Sequence, residues 1–457
     1  MDAIGTGPTI AETLGDWITA SQAIPRDCEA MARRLLLDVA GLCVAARHEV
    51  YVQAVLDSTE PGGRCSVIGQ SRGFGAYDAA LVNGTAAHGE DFDDTFEGGP
   101  VHSGAVVVPA VLAACEREGL SGPALLRGIV VGAEMMCRLS LVAPKAIHKA
   151  GFHPTAVIGA MAAAGGVAAA LNLPQAQVVG AIGIAGSMAS GIIEYLAEGT
   201  WTKRAHAGLA AQAGIRAALM ARGGFLGPRT VFEGTHGFFK AFAPSGSPDF
   251  TPVLNRLGED WLMQAIAFKP YPCGTMTQPY IDCAVALAAQ GIDLDQIQGI
   301  VCEVGEGTVH RLWEPLASKH RPKTSYSAKF STPFCIAVGL LDGQAGFGQF
   351  TDERVHDPAV QRLAAKVSYI IDPGNPYPAD FTGHLRVTMT DGTVQEVRQD
   401  HMRGGAHAPL SDAEVEAKFH DNALYGGWTD AQAAAMRDIL AGLFQASSMQ
   451  AVSALCQ

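Results

Sequence analysis

Acidic and imidazole side chains are concentrated in one short segment, HGEDFDDTFEGGPVHSG, which runs from His88 to Gly104. This segment holds three aspartates, two glutamates and two histidines, in a chain that is only 17% charged. A metal site, an acid/base active site and a solvated surface turn would each explain it. Apolar runs at 81–87 and 105–114 flank the segment, and charges between buried helices must find partners internally. The flanks therefore favour an acid/base site or a structural hydrogen-bond network.

The metal-site alternative depends on the oxygen and nitrogen donors of this segment, which are Asp91, Asp93, Asp94, His88 and His102. The D-x-D-D spacing lacks the glycine and the distal glutamate of a calcium loop. The two histidines are too far apart in sequence to supply the usual zinc framework. We therefore expect no metal, and a metal-dependent hydrolase stays open as the competing hypothesis. Convincing nucleotide-binding loops are also absent, so we expect no cofactor.

Three further segments carry residues suited to acid/base chemistry. In GFHPT, His153 precedes a proline and an alanine-rich run, and a histidine at a helix start can be kept neutral by the helix dipole. In TKRAHAG, Lys203 and His206 are three residues apart and would share one helix face. In FKPYPCGTMTQ, Lys269 lies at a predicted domain junction, a favoured place for ligands. A core histidine, a solvated basic turn and a surface lysine are the structural alternatives.

These segments are positioned by two kinds of secondary structure. Residues 1–265 are mostly of helical periodicity. Within them, Thr9 and Glu12 form a candidate capping box at a helix start. Pro109 suits the first turn of a predicted helix over 105–118. Residues 266–398 mix helical runs with alternating runs, two of which are joined by an Asp391-Gly392 turn. Residues 399–457 are helical again. The pattern predicts a mainly α protein: a large all-helical domain (1–265 and 399–457) with a smaller inserted α+β domain (266–398).

Composition limits the partners and the compartment. The chain has 457 residues, 48% of them hydrophobic, and a formal net charge of −13, which argues against nucleic acid and anionic membranes. Ten scattered cysteines without a C-x-x-C pair are expected to be buried in a reducing cytoplasm. The start, MDAIGTGPTIAETLGDW, lacks the basic and apolar regions of a signal peptide. The alanine- and glycine-rich run 156–172 predicts a buried helix and not a membrane span.

Together, six segments in order along the chain resemble the MmgE/PrpD family, which includes 2-methylcitrate dehydratases, cis-aconitate decarboxylases and iminodisuccinate epimerases. The matching segments are NGTAAH (83–88), DFDDT (91–95), GFHPT (151–155), KRAHAG (203–208), KPYPC (269–273) and LLDG (340–343). The resemblance implies a homodimer with a large helical domain and a smaller α+β domain. It also implies a metal-free site in the cleft between the domains, which acts on a proton alpha to a carboxylate of a di- or tricarboxylate.

The resemblance implies a site that holds Asp91, Thr95, His102, His153, Lys203 and Lys269, and the chemistry of the side chains suggests their roles. The predicted acid/base groups are His153, which is our first choice as the base, His102, Asp91 and Lys203. The predicted substrate-binding residues are Lys269, Thr95, His206, Gln278 and Tyr271. Asp93, Asp94 and Glu97 are expected to orient the loop or cap neighbouring helices.

This sequence departs from the family pattern at three positions. Ser103 replaces a proline after His102, Gln278 replaces a histidine, and Phe334 in STPF replaces the tyrosine of the S-x-x-Y pattern that decarboxylases resemble. Loss of two proton-carrying side chains weakens both decarboxylation and dehydration, whereas epimerisation needs only deprotonation and reprotonation at one carbon. The sequence therefore favours an epimerase of the iminodisuccinate type. A dehydratase or decarboxylase, and a non-catalytic carboxylate-binding protein, are the alternatives.

Overall fold

A computed structural model describes residues 7–20, 23–377, 380–449 and 452 of the chain. The chain divides into two compact units. Unit 1 comprises residues 1–89, 93–266 and 412–457, and unit 2 comprises residues 90–92 and 267–411. In this division residues 399–411 group with unit 2, and the boundary at 398/399 stays a prediction.

The α-helices of the described residues follow one another in chain order. They are α1 (Ile10–Thr19), α2 (Arg26–Ala46), α3 (Val50–Leu56), α4 (Ala76–His88), α5 (Ser103–Glu118), α6 (Gly122–Ser140), α7 (Ala146–Lys149), α8 (Pro154–Ala170), α9 (Gln175–Met188), α10 (Tyr195–Glu198), α11 (Thr202–Arg222), α12 (Phe238–Phe242), α13 (Thr251–Leu254), α14 (Gln278–Ala289), α15 (Glu306–Leu312), α16 (Leu316–His320), α17 (Ser325–Ala328), α18 (Thr332–Asp342), α19 (Asp352–Val355), α20 (Pro358–Ala364), α21 (Asp412–Tyr425) and α22 (Asp430–Gly442).

The strands are few and short, so the protein is mainly helical with a small mixed sheet, as the sequence predicts. They are β1 (Pro61–Ser66), β2 (Gly73–Phe74), β3 (Thr95–Phe96), β4 (Ile266–Ala267), β5 (Ile297–Val304), β6 (Val367–Ile371), β7 (Gly383–Met389) and β8 (Val394–Gln399).

Unit 1 is built around α8, in which every residue is buried, as the alanine- and glycine-rich run predicts. This helix packs against α5, α6, α9 and α11, and α11 also packs against α4. A Cβ placed on Gly84 of α4 would lie 2.6 Å from the Cα of Gly208 in α11, so these two helices meet backbone to backbone. Gly84 lies in the segment NGTAAH, which ends at His88, and Gly208 lies in the segment KRAHAG, which contains His206. Close packing of α4 on α11 therefore fixes where those histidines lie.

Unit 2 contains a four-stranded sheet in the order β6-β5-β7-β8. Strands β5 and β6 are parallel, and the other neighbouring pairs are antiparallel. The Asp391-Gly392 turn joins β7 to β8 as predicted, and Gly392 has a positive φ of 85°, which glycine adopts at little cost. Helix α14 packs against α18 and lies on β7 and β8. No helix of the described residues has both the length and the apolar character needed to cross a bilayer.

Local sequence signals were mostly correct, with two corrections. Thr9 and Glu12 form the predicted capping box, and the nine cysteines among the described residues are buried, whereas Cys456 lies outside those residues. The first domain is not entirely helical, because β1 and β2 pair in unit 1. They are too short and too rich in glycine to show an alternating pattern. Pro109 lies inside α5 and not in its first turn, since this helix begins at Ser103, ahead of the apolar run.

Candidate active site

Four histidines of unit 1 form what we call the imidazole cluster: His88, His102, His153 and His206. The ring centroid of His88 lies 4.9 Å from that of His102 and 5.5 Å from that of His153. The ring centroids of His153 and His206 are 5.3 Å apart. His88 ends α4, while His102 and His153 directly precede α5 and α8. His206 lies in the first turns of α11 and is buried. Four separate helix ends thus supply one group of neighbouring imidazoles.

Asp93 holds two rings of the cluster in defined tautomers. One of its carboxylate oxygens, Oδ2, lies 2.7 Å from Nδ1 of His88 and 3.3 Å from Nδ1 of His102. The Nδ1 of His102 also lies 2.6 Å from the carbonyl oxygen of Asp94, which can only accept a hydrogen bond. In both rings Nδ1 therefore carries the proton, and Nε2 presents a lone pair when the ring is neutral. Nε2 of His88 is buried without a hydrogen-bond partner among the described residues.

His153 and His206 are paired through their Nδ1 atoms, which lie 3.1 Å apart. One of these nitrogens must donate and the other accept, so the two neutral rings have opposite tautomers. Burial, assisted by the positive charges of His88, Lys203 and the other histidines, holds the pKa of His153 well below its usual value. Burial is also the main cause that lowers the pKa of His206 to about 4, and the positive charges of His88 and Lys203 contribute. Both rings are therefore neutral at pH 7. Burial is the main cause of the lowered pKa values, whereas the sequence suggested the helix dipole as the cause for His153.

Asp94 fixes the start of α5 and, with it, the position of His102. Its two carboxylate oxygens accept hydrogen bonds from the backbone nitrogen of Gly104 at 2.9 and 3.0 Å. Because these bonds satisfy the first turn, α5 begins at Ser103 without needing a proline there. The expected capping role of Asp94 is thus confirmed, and Ser103 does not prevent a defined placement of His102.

In unit 2, the three residues Glu90–Phe92, here called the acidic tripeptide, are held by buried lysines. Nζ of Lys269 donates to the carbonyl oxygen of Asp91 at 3.0 Å, and Nζ of Lys329 donates to that of Glu90 at 2.9 Å. Lys329 also forms an ion pair with the Glu90 carboxylate. Asp91 has a positive φ of 57°, a conformation that is uncommon outside glycine and clusters at functional sites.

The predicted substrate-binding residues Tyr271 and Gln278 are engaged inside unit 2. The Tyr271 hydroxyl donates to Asp282 at 2.8 Å and accepts from Arg403 at 3.2 Å. Nε2 of Gln278 donates to the carbonyl oxygens of Tyr271 and Cys273, both at 3.3 Å. These bonds fix the KPYPC segment, so both side chains shape the backbone beside Lys269. Direct binding of substrate by either residue stays a prediction.

His88, Asp93 and His102 are also the one group among the described residues whose donor atoms cluster as metal ligands would, all lying within 4.8 Å of one another. In the present arrangement Nδ1 of His88 and of His102 is engaged by protein oxygens, so only Nε2 of each ring keeps a lone pair that a metal could use. The expectation that no metal is needed stays a prediction, and chelation tests it below.

Comparison with known proteins identifies the family. The model of the MmgE/PrpD N-terminal domain matches residues 12–251, and that of the MmgE/PrpD C-terminal domain matches residues 271–441. The chain belongs to the MmgE/PrpD family. The resemblance read from the six sequence segments is thereby confirmed.

Curated relatives of this MmgE/PrpD protein include cis-aconitate decarboxylases. The cis-aconitate decarboxylase-like protein oryM of Aspergillus oryzae is 29% identical, over 92% of this chain and 91% of the relative. The cis-aconitate decarboxylase of Aspergillus terreus is 30% identical, over 90% and 88%. The cis-aconitate decarboxylase of Mus musculus is 32% identical, over 76% and 71%.

These relatives do not support the epimerase reaction that the sequence favoured. The epimerase prediction depends on the assumption that too few proton-carrying side chains remain in the site when Phe334 replaces a tyrosine and Gln278 replaces a histidine. The structure shows why this assumption fails, since the imidazole cluster alone contains four titratable rings. The sequence suggests for His88 only the role of a metal ligand.

The predicted site residues divide between the two units. His102, His153 and His206 come together in unit 1, where the Lys203 ammonium lies close enough to lower the pKa of His153 and His206, and Thr95 is buried in β3. Asp91 and Lys269 come together in unit 2. Sequence reasoning missed Lys329 and Tyr326, which contact the acidic tripeptide. A lysine inside the apolar run AKFSTPF was the one available signal for Lys329.

Two buried carboxyl groups of this MmgE/PrpD protein should make its stability depend on pH. Burial, and secondly the neighbouring Asp93, raises the pKa of Asp94 to about 8, and burial raises the pKa of Glu116 to about 7. Each folded-state pKa exceeds that of the unfolded chain, so the stabilisation is complete below about pH 4 and is lost as pH rises through the folded value.

We expect Asp94→Asn to flatten the fall in melting temperature between pH 5 and pH 8, measured by circular dichroism. An asparagine keeps one oxygen for the Gly104 amide but has no proton to lose. Asp249→Asn is the control, because that exposed carboxylate has a lowered pKa and is ionised throughout this range. An equal slope in Asp94→Asn and the parent would contradict the prediction.

Proposed function

We propose that this protein is a lyase that removes carbon dioxide from cis-aconitate or a closely related unsaturated polycarboxylate. The imidazole cluster with its shared Asp93 carboxylate is the observation that carries the proposal, because it supplies buried acid/base groups in defined tautomers. The relatives named cis-aconitate decarboxylase, which align over about nine-tenths of the chain, support the choice of substrate.

The proposed reaction requires one proton at carbon. The bond between the carboxylate and the methylene carbon of cis-aconitate breaks, and its electron pair forms a new terminal double bond as carbon dioxide leaves. The electrons of the original double bond then take up a proton at the carbon on its far side. The products are 2-methylenesuccinate and carbon dioxide. Negative charge spreads onto a carboxylate during this step, and a fixed cation lowers its energy.

His102 is the proposed proton donor. A proton added to its Nε2 would create a cation whose charge is balanced by the Asp93 carboxylate, 3.3 Å from Nδ1. His153 has the opposite surroundings, because burial and nearby positive charge keep it neutral. A neutral imidazole accepts protons at pH 7, so His153 is the proposed base, which takes the proton of the reacting carboxyl group before carbon dioxide leaves. Lys203 is the proposed cation.

The reaction is tested by proton NMR in heavy water with cis-aconitate, citrate, 2-methylcitrate and iminodisuccinate. We expect two new vinylic protons, carbon dioxide, and a single deuterium in the methylene group of the product from cis-aconitate. Deuterium uptake with stereochemical scrambling and without carbon dioxide would contradict the proposal in favour of an epimerase. Exchange with none of the four compounds would favour a non-catalytic carboxylate-binding protein.

A parallel sample with EDTA tests the metal alternative. We expect an unchanged rate, because the proposed reaction uses imidazole and lysine side chains and needs no metal. Loss of activity that a divalent ion restores would instead assign His88, Asp93 and His102 to a metal.

A further inference from the structure

The Tyr326 hydroxyl donates to Oδ2 of the Asp91 carboxylate at 3.0 Å. Tyr326 lies in α17, whose start is fixed by a reciprocal capping box between Thr324 and Ser327. Its ring packs edge-on against Phe330, with 5.5 Å between the centroids. The hydroxyl thus reaches Asp91 from a short helix that is itself well held.

The backbone around Asp91 does not need this hydroxyl for its position. Lys269 and Lys329 bind the carbonyl oxygens of Asp91 and Glu90, and the Phe92 ring packs edge-on against Phe347 at 5.3 Å. Both lysines are almost completely buried, so these bonds are shielded from water. Since the main chain is fixed on both sides of Asp91, the contact of Tyr326 acts on the orientation and charge of the carboxylate alone.

The strained backbone gives this contact a functional meaning. Asp91 has a φ of 57° in a segment that other contacts hold in place, and strain of this kind persists where the surroundings determine the conformation. Phe334, which stands in the STPF segment, contributes no hydroxyl and packs its ring near Phe350. A phenol hydroxyl is nevertheless supplied to the predicted acid/base carboxylate, from eight residues earlier in the chain.

We propose that Tyr326 is a positioning residue that orients the Asp91 carboxylate for proton transfer and supplies it with a hydrogen bond. The inference rests on the proposed function, in which Asp91 is a predicted acid/base group. The phenol acts through Asp91 and keeps its own proton, so no bond is made or broken at Tyr326.

The test is Tyr326→Phe, which removes one hydroxyl and keeps the ring contact with Phe330. We expect kcat for cis-aconitate to fall about 10- to 100-fold, the usual effect of losing a hydrogen bond to a charged group, with KM and melting temperature nearly unchanged. Tyr369→Phe is the matched control, since Tyr369 makes the same kind of bond to Glu314 at 2.7 Å in the same unit. A pure loss of stability, or equal effects of the two substitutions, would overturn the proposal.

A double-mutant cycle shows whether Tyr326 acts through Asp91. We expect the double variant Asp91→Asn, Tyr326→Phe to turn over substrate no more slowly than Asp91→Asn alone. The hydrogen bond from Tyr326 can no longer act on a carboxylate that Asp91→Asn has already removed. Effects that multiply independently would contradict the assignment.

One readout does not require turnover, so it separates this inference from the proposed function. In protein labelled with carbon-13 at aspartate Cγ, the Asp91 resonance, assigned by its loss in Asp91→Asn, should shift in Tyr326→Phe and stay in place in Tyr369→Phe. An unmoved resonance would overturn the Tyr326–Asp91 contact. Inactivity of the parent protein on all four polycarboxylates would instead contradict the proposed function.

Discussion

His153→Asn should lower the turnover of cis-aconitate by a factor on the order of 10²–10⁴, the usual contribution of a positioned acid/base group. An asparagine amide can replace Nδ1 of the ring and keep the bond to His206, which lies 3.1 Å away. It cannot replace Nε2. The loss should therefore appear in kcat, with little change in folding.

His153→Gln completes this experiment, because a glutamine amide extends towards the position of Nε2. If the ring moves a proton, glutamine should be as inactive as asparagine. Recovery of a tenth or more of the parent activity in His153→Gln would show that a hydrogen bond suffices and would contradict the base assignment. His236→Ala, at an exposed histidine of the same unit, should leave turnover unchanged.

Arg138→Met should have the largest effect on stability, a loss of about 3–5 kcal/mol in the free energy of unfolding, the usual result of breaking a buried ion pair. The Arg138 guanidinium is 2% exposed, and its Nε donates to Glu134 at 2.6 Å. Its other nitrogens donate to the carbonyl oxygens of Pro252, Asn255 and Asp260 at 2.6–2.9 Å. The substitution leaves these carbonyl oxygens without their donor. It leaves the buried Glu134 carboxylate without its counter-charge, although the backbone amides of Leu262 and Met263 still donate to it.

Urea unfolding should measure this loss, with two comparisons. Arg256→Met removes an exposed ion pair with Asp260 from the same region and should leave the midpoint unchanged. The double variant Glu134→Gln, Arg138→Met should be more stable than Arg138→Met, because it no longer buries a carboxylate without its counter-charge. A midpoint for Arg138→Met equal to that of Arg256→Met would contradict the prediction.

Much of the fold followed from local sequence signals. Helical periodicity, the Thr9–Glu12 capping box and the Asp391-Gly392 turn each depend on residues within about one turn of structure, so the chain reports them directly. The short pair β1 and β2 and the true start of α5 were missed. In both cases the deciding contacts come from outside the segment, as when Asp94 caps α5 from nine residues before the first residue of that helix.

The sequence by itself determined the family, the predominance of helix, and the segments that contain His102, His153, Lys203 and Lys269. Tertiary structure alone decided which of these side chains meet. Asp93 orients His88 and His102, His206 pairs with His153 from a helix about fifty residues away, and Tyr326 reaches Asp91 from 235 residues away. The physical reason is that periodicity records which face of a helix is apolar, whereas a hydrogen bond between distant side chains depends on how helices pack, and small residues such as Gly84 and Gly208 set that packing.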